Sequence, residues 1–391
     1  MSPTKKTSVM PDFIPRALDL SSLVRRKSHF LFGPRQTGKS YLIRHQLQGT
    51  RVYNLLDNAT FLALSQNPGR LGQEIGPHER LVVIDEIQRL PILLNEVHLL
   101  IEERGVRFLL TGSSARKLRR GGVNLLGGRA RTTYMHPLTV GELGELFDLS
   151  RALYRGLLPS IYLSDDPDAD LAAYAGTYLH EEIVAEGATR NIPAFSRFLK
   201  VAALCSGTMI NFTNIANDAQ VPRTTVHEYF EILRDTLLLH ELPAWRKSVK
   251  RKPIRTSKYY FFDVGLVGFL QGRKPAPRTR EYGEAFETFI MHELVSWRDY
   301  RSGDAVSYWR SASGYEVDFI LGDHTAIEVK AKENVSADDL RSLRAIAEEN
   351  KVKRCICVSL EPRTRRIGGI TILPYREFLK NLWSGQYAGC Q

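Results

Sequence analysis

Apolar and polar positions along this chain follow two periods, and the blocks change character from one end to the other. Short continuous apolar runs at Phe30-Leu31-Phe32, Leu81-Val82-Val83-Ile84 and Phe108-Leu109-Leu110 predict strands buried on both faces. An amphipathic helical pattern, Tyr41 to Leu47, follows the first run. Residues 1–138 alternate helix and strand patterns in this way, as an open, mostly parallel α/β sheet does, and close on a last strand at His136-Pro137-Leu138. Residues 139–195 read as a helical lid: Val140 to Leu149, Leu153 to Leu157 and Leu171 to Ala185, with a turn-prone acidic linker from Ser164 to Asp168. Residues 196–257 read as a winged helix. One helix covers Phe195 to Leu204, a short one opens at Asn211 to Ala216, a recognition-like one begins at Val221 to Val226, and Leu237 to Leu242 forms a wing strand. Residues 258–391 return to α/β: a long amphipathic helix from Tyr282 to Leu294, strands at Tyr308 to Arg310, Gly314 to Leu321 and Ala326 to Lys330, and a strand at Arg354 to Val358 with Cys355 and Cys357 on one face.

Charge and composition narrow the partners. The 391 residues carry a formal charge of +11 and 43% hydrophobic residues, enough for about two to four domains with their own cores. Such an excess of positive charge favours polyanionic partners. Between Arg246 and Lys258 stand Arg246, Lys247, Lys250, Arg251, Lys252, Arg255 and Lys258, a cluster whose binding to nucleic acid would weaken steeply with salt. The cysteines Cys205, Cys355, Cys357 and Cys390 show no zinc spacing and no disulfide framework, which predicts a reducing, cytoplasmic compartment. The basic start (Lys5, Lys6) has no apolar signal region, and no apolar stretch reaches the length of about 18 residues that a membrane span needs. No membrane association is expected.

The first chemical constellation is Gly33-Pro34-Arg35-Gln36-Thr37-Gly38-Lys39-Ser40, placed between a predicted strand and the helix that starts at Tyr41. This is the context of a phosphate-binding P-loop, in which backbone N–H groups and the helix N-terminus face the phosphates. Lys39 would reach the β- and γ-phosphates of ATP, and Ser40 would join the Mg²⁺ shell. Asp85 and Glu86, at the end of the second apolar run, suit a Walker B pair: Asp85 for the metal shell and Glu86 to polarise the attacking water. Thr111 or Ser113, after the third run, is a candidate γ-phosphate sensor, although capping of the loop explains the hydroxyls as well. Arg116, Lys117, Arg119 and Arg120 precede a glycine-rich stretch ending at Gly128-Arg129-Ala130-Arg131. Arg129 or Arg131 could be an arginine finger for a neighbouring subunit, with Arg129 favoured. Arg116 to Arg120 suit a solvated or DNA-contacting loop.

A second constellation lies near the C-terminus. Alternation puts Glu328 and Lys330 on one strand face, where Asp318 of the adjoining strand can meet them, and Glu287 on the preceding helix can complete a Mg²⁺ shell. An ordinary hairpin with exposed charges is the competing reading.

On these motifs the whole chain resembles a bacterial and archaeal family of AAA-type ATPases with a C-terminal domain of unknown function. The residues that carry the resemblance are Gly33 to Ser40, Asp85 to Pro91, Leu110 to Ser114, Gly128-Arg129, His136-Pro137-Leu138, Glu287, Glu316 to Phe319 and Ile327 to Lys330. The last part is similar to the PD-(D/E)xK nuclease fold of Holliday-junction resolvases and restriction enzymes, with Asp318, Glu328 and Lys330 at the matching positions and Val317 where the pattern has proline. The resemblance implies a fold of four pieces: an AAA-type P-loop core, a helical lid, a winged helix and a restriction-endonuclease-like α/β domain. It implies ATP and Mg²⁺ as cofactors, structured or branched DNA as partner, and a homo-oligomer, a hexamer being one candidate. An ATP-driven DNA remodeller is the leading expectation. A nucleotide-controlled regulatory or defence switch that binds without cutting, or an active Mg²⁺-dependent nuclease, are the alternatives.

Overall fold

The computed structural model describes residues 13–389 apart from 115, 117, 119–125 and 179–190. Lys5, Lys6, Lys117, Arg119, Arg120, Cys390 and the far end of the helix expected to reach Ala185 lie outside the described residues.

The apolar runs become a parallel sheet. Strands β1 (Ser28–Phe32), β2 (Arg51–Asn54), β3 (Leu81–Asp85), β4 (Arg107–Gly112) and β5 (Ala130–Tyr134) lie in the order β2-β3-β4-β1-β5. Every neighbouring pair is parallel. All five positions of β1 and the last four of β3 are buried, because helices cover both faces: Leu93–Arg104 on one, Leu20–Arg26 and Lys39–Gln46 on the other. Phe32 pairs with Gly112 and Ile84 with Leu110, so the loops leaving β1, β3 and β4 emerge side by side at the carboxyl edge, where open α/β sheets bind ligands.

The helical stretch that follows, with helices Val140–Leu143, Leu149–Arg155, Pro159–Tyr162 and Pro167–Ala173, shares its core with the C-terminal part. Leu143, Phe147 and Leu153 belong to one cluster with Phe286 and Phe289 of the long helix Arg280–Arg301. Helices Ile192–Leu204, Phe212–Ala219 and Arg223–Asp235 then pack around Phe195, Phe198, Ile215 and Phe230. Strands β6 (Leu239–Leu242) and β7 (Lys258–Phe261) form a two-stranded antiparallel sheet, and the helix Val264–Gln271 adds Leu266 and Val267 to the same core. The boundary expected between 257 and 258 therefore falls inside a unit, since β7 pairs with β6 across an intervening loop that local patterning does not register.

The last unit is a six-stranded sheet of β8 (Val306–Arg310), β9 (Glu316–Leu321), β10 (Thr325–Lys330), β11 (Arg354–Ser359), β12 (Arg365–Ile367) and β13 (Ile370–Pro374), in the order β12-β13-β11-β10-β9-β8. β8, β9 and β10 are antiparallel neighbours, β10, β11 and β13 parallel ones. The helices Arg280–Arg301 and Tyr375–Trp383 pack in one apolar cluster and Arg341–Ala347 in another, which Cys355 and Cys357 share as their alternation required. Among the described residues no helix is long and apolar enough to cross a membrane.

One buried acid ties these units together. Glu293 is 0% exposed and accepts hydrogen bonds from Val140 N (2.7 Å) and Trp383 Nε1 (2.8 Å). Burial pushes its carboxyl from 4.5 up to about 7. In that window the folded chain keeps a proton that the unfolded chain has released, so the contribution of Glu293 to stability is full below pH 4.5 and is lost as the pH rises through 7. Wild type should therefore lose stability relative to Glu293→Gln between pH 5 and pH 8, read as urea midpoints. A gap that does not move with pH would refute the assignment.

Candidate functional site

The phosphate loop is shaped by glycines and by an arginine from outside it. Gly38 has φ +92° and starts the helix Lys39–Gln46, a left-handed position that glycine adopts without strain. A Cβ on Gly33 would lie 2.4 Å from the Met135 carbonyl oxygen, so the loop nests against the strand end beside it. Thr37, fully buried, donates from Oγ1 to the Pro34 carbonyl at 2.9 Å. Arg16 donates to the Thr37 carbonyl (2.6 Å) and the His136 carbonyl (2.6 Å), and pairs with Glu142 at 3.0 Å. Lys39 is buried, and its Nζ donates to the Gly33 (2.6 Å) and Pro34 (3.1 Å) carbonyls, which sets its charge within the curve of the loop.

Asp85 gathers the three loops. Ser40 Oγ donates to Asp85 Oδ2 at 2.8 Å, Thr111 Oγ1 donates to Asp85 Oδ1, and the Glu86 N–H donates to Thr111 Oγ1 at 3.3 Å. Glu86 itself sits in the left-handed region (φ +62°), a conformation that costs about 1 kcal/mol or more for a side-chain-bearing residue and that gathers at functional sites. Gln88 Nε2 donates both to Glu86 Oε2 and to Ser113 Oγ (3.2 Å). A Cβ on Gly112 would sit 2.3 Å from Gln88 Oε1, which explains that glycine. Gln88 and Arg16 escaped the sequence reading. The only local signal for Gln88 was its place in the Asp85 to Pro91 run, and Arg16 gave none.

These residues fit a magnesium nucleotide. The Ser40 hydroxyl and Asp85 carboxylate are adjoining hard oxygen donors for Mg²⁺. The loop N–H groups and Lys39 would meet the phosphates, and Gly33, where a Cβ would strike the Met135 carbonyl, lets the loop pack against the end of β5. A cavity of about 390 Å³ beside Gly38 is lined by Ile14, Tyr41, Leu138, Pro159 and Leu163, an apolar slot suited to a flat base. The helical stretch closes this side: Ser160 Oγ donates to Gln36 Oε1 (2.9 Å) and the Tyr174 hydroxyl to the Arg35 carbonyl (3.4 Å). This is where the expected lid meets the loop.

The basic loop divides. Arg129 pairs with Glu102 of its own chain and donates to the Gly127 carbonyl, so reaching a neighbour requires release of that ion pair, while Arg131 is exposed. Arg116 does not serve a solvent-facing DNA loop: it is 5% exposed and faces Asp235 at 3.7 Å, at the end of the helix Arg223–Asp235, beside the bond from Ser114 Oγ to the Asp235 carbonyl (3.3 Å).

The residues of the second constellation lie together, with three further neighbours. Glu287, Asp318, Glu328 and Lys330 converge, joined by Lys258, Tyr260 and Glu316. Lys330 Nζ lies 2.5 Å from Glu328 Oε1, and Asp318 Oδ2 accepts from Val329 N at 2.8 Å. Glu287 Oε1 accepts from the Tyr260 hydroxyl at 2.6 Å. Lys258 Nζ lies 2.5 Å from Glu316 Oε1 and 4.0 Å from Glu287 Oε1, over the ring of Tyr308. Burial and then Asp318 push the Glu287 carboxyl up to about 7, and the same two causes raise Glu328 well above its usual range. Burial would strip Lys258 of its proton, but Glu287, Asp318 and Glu316 outweigh it and hold its pKa above the ordinary value. Lys258 thus leaves the basic run in which the sequence placed it, because β7 carries it inward to 3% exposure. Among the described residues no three His, Cys, Asp or Glu side chains are arranged to hold a metal ion. The expected Mg²⁺ shell of Glu287, Asp318 and Glu328 is not formed here, and one oxygen of each accepts from a protein donor instead.

Comparison with known proteins agrees with the first site. Residues 25–144 match the AAA domain family, residues 146–276 a domain of unknown function (DUF8612) and residues 282–378 another (DUF4143). The amino-terminal unit is an AAA-type P-loop ATPase domain. Uncharacterized proteins of Mycobacterium tuberculosis and Mycobacterium bovis are each 26% identical over 379 residues, covering 91% of this chain and 82% of theirs. One from Haemophilus influenzae is 24% identical over 320 residues, covering 74% of this chain and 78% of its own. The crystal structure of a signal transduction ATPase with numerous domains and a tetratricopeptide repeat sensor, from Pyrococcus horikoshii, aligns with 72% of this chain at 13% identity and a TM-score of 0.22. This chain covers 46% of that protein, and a likeness so slight carries no argument.

Filling the apolar slot should weaken nucleotide binding without touching the phosphate loop. Ser160→Trp is expected to raise the dissociation constant for ADP about tenfold, a loss of about 1.4 kcal/mol, by titration calorimetry. Unchanged affinity would place the base elsewhere.

Proposed function

We propose that this protein hydrolyses ATP and uses it to act on DNA, structured or branched DNA in particular, as a homo-oligomer. The observation that carries the reading is the link between the two kinds of site: Glu86, Gln88 and Ser113 form one hydrogen-bonded chain, and the next residue, Ser114, bonds the end of the helix Arg223–Asp235. That helix and its neighbours have the element order of a winged helix, and its first residues, Arg223 and Thr224, are exposed. Arg246, Lys247, Lys250, Lys252 and Arg255 are exposed nearby in sequence. A cleft of about 740 Å³ over Lys330, lined by both cations (Arg278, Arg280, Lys332) and acids (Glu284, Glu287, Glu333), opens on a sheet we read as nuclease-like. Basic surfaces bind phosphate backbones with strong salt dependence.

In hydrolysis, Lys39 neutralises charge at the β- and γ-phosphates and Glu86 orients and polarises the attacking water. Mg²⁺ held by Ser40 and Asp85 supplies further neutralisation of phosphate charge. Gln88 Nε2 donates to the Glu86 carboxylate and to Ser113 Oγ, so Glu86 must exchange this partner for water before it can act. The same contact favours a second reading, a slow nucleotide-controlled switch whose resting state is Glu86 held by Gln88.

ATP turnover alone and with duplex, forked and four-way DNA at two salt concentrations separates the readings. Stimulation by forked or four-way DNA, fading with salt, is expected, whereas indifference to every DNA form leaves the switch. Lys39→Ala should abolish nucleotide binding. Glu86→Gln should bind ATP with hydrolysis reduced about 10²-fold or more. Arg129→Ala should keep affinity while hydrolysis falls about 10³-fold, and mixing it with Lys39→Ala should restore turnover if Arg129 acts on a neighbour. No recovery at any ratio rules that out.

A further inference from the structure

We infer that Lys258 is the resident cation of the C-terminal carboxylate cluster: its ammonium group holds the place that a divalent metal takes in an acidic site of this shape, and the cluster binds no metal while Lys258 is present. The inference deepens the non-cutting reading of the nuclease-like sheet and rests on it for the meaning of the site, but its chemistry is independent of DNA.

The argument is one of charge and of donors. Glu287, Glu316, Asp318 and Glu328 bring four carboxylates together, Asp318 and Glu328 buried and the other two about a quarter exposed, and such a cluster persists only if it is compensated by positive charge or protons. Two lysines reach it, one from β7 and one from β10. Lys330 is partly open to the cleft and binds Glu328 at 2.5 Å. Lys258 is 3% exposed and arrives from β7, a strand of the neighbouring two-stranded sheet, to meet Glu316 at 2.5 Å and Glu287 at 4.0 Å. An ammonium group buried this deeply is tolerated only where anions surround it.

Five of the eight carboxylate oxygens are already engaged by protein donors. Glu316 gives Oε1 to Lys258 and Oε2 to Arg310 (2.6 Å), Glu287 gives Oε1 to Tyr260, Asp318 gives Oδ2 to the Val329 amide, and Glu328 gives Oε1 to Lys330. Glu287 Oε2, Asp318 Oδ1 and Glu328 Oε2 are left, the last of them buried without a donor. Mg²⁺ demands near-octahedral oxygen ligation and gives up water reluctantly, and three oxygens beside a resident ammonium group are a poor set to replace that water. A divalent ion entering here would also meet the charge of Lys258 at close range.

The test is Mn²⁺ binding to the full-length, nucleotide-free chain carrying Lys39→Ala, followed by electron paramagnetic resonance and by thermal melting. With Lys258 in place, no uptake that depends on Asp318 is expected. Lys258→Met, which keeps the aliphatic stem and removes the charge, should take up stoichiometric Mn²⁺ and melt about 4 °C or more higher with the ion at saturating concentration. Adding Asp318→Asn should cancel both changes, and Lys258→Arg should behave as wild type. If Lys258→Met does not fold even with Mn²⁺, the charge-balanced double variant Lys258→Met with Glu316→Gln replaces it under the same criteria. Mn²⁺ uptake by the Lys258 protein that Asp318→Asn abolishes overturns the inference, as does a folded Lys258→Met protein, or double variant in its place, that takes up none. Cutting of DNA that Asp318→Asn abolishes would instead refute the non-cutting reading, so the two failures are distinguishable.

Discussion

Burying a carboxylate is unfavourable unless every exposed face of it is met by a donor, and Asp85 turns that requirement into architecture. Its two oxygens accept from Ser40, after the phosphate loop, and from Thr111, at the end of β4, while the next residue, Glu86, hydrogen-bonds back to Thr111. Three loops that leave different strands are thereby held within one hydrogen-bond network. The parallel sheet brings their starting points together, and Asp85 fixes the final approach. The positions of Ser40, Asp85 and Thr111 are thereby set before any ligand arrives, whereas Glu86 is held by Gln88.

The same rule joins the units of the chain. Arg16 stitches the phosphate loop to His136 and Glu142, Arg116 and Ser114 meet Asp235, Glu293 meets Val140 and Trp383, and Asp263 accepts from the Leu157 N–H at 2.7 Å. Apolar contacts between units are non-directional and tolerate sliding, whereas a buried polar pair has one good geometry. Contacts of this kind therefore fix the relative position of the elements they join. The path from Glu86 through Gln88 and Ser113 to the helix Arg223–Asp235 is short and consists of such bonds.

Charge decides the character of the two acidic sites. Around Asp85 the donors are hydroxyl groups, which rotate and can offer a lone pair to a metal, so the site fits Mg²⁺. Around Glu316 and Glu328 the donors are ammonium groups, which offer no lone pair and carry the charge that a metal would bring. Two clusters of acids that look alike as lists of residues are chemically opposite once their partners are known.

What the sequence determined on its own is local. Continuous apolar runs fixed β1, β3 and β4, the glycines and Lys39-Ser40 fixed the loop, and a period of two put Glu328 beside Lys330, because these follow from neighbours a few residues apart. What only the tertiary structure decided involves partners far away in the chain: Arg16 on the phosphate loop, Gln88 between Glu86 and Ser113, Arg116 turned inward to Asp235, and Lys258 drawn from a basic run into an acidic core. A lysine in a run of lysines and arginines reads as solvated, and nothing within reach of its own strand says otherwise. Its burial is set by the pairing of β7 with β6 and by carboxylates 29 or more residues further on, and the free energy of a buried charge depends on exactly those distant neighbours.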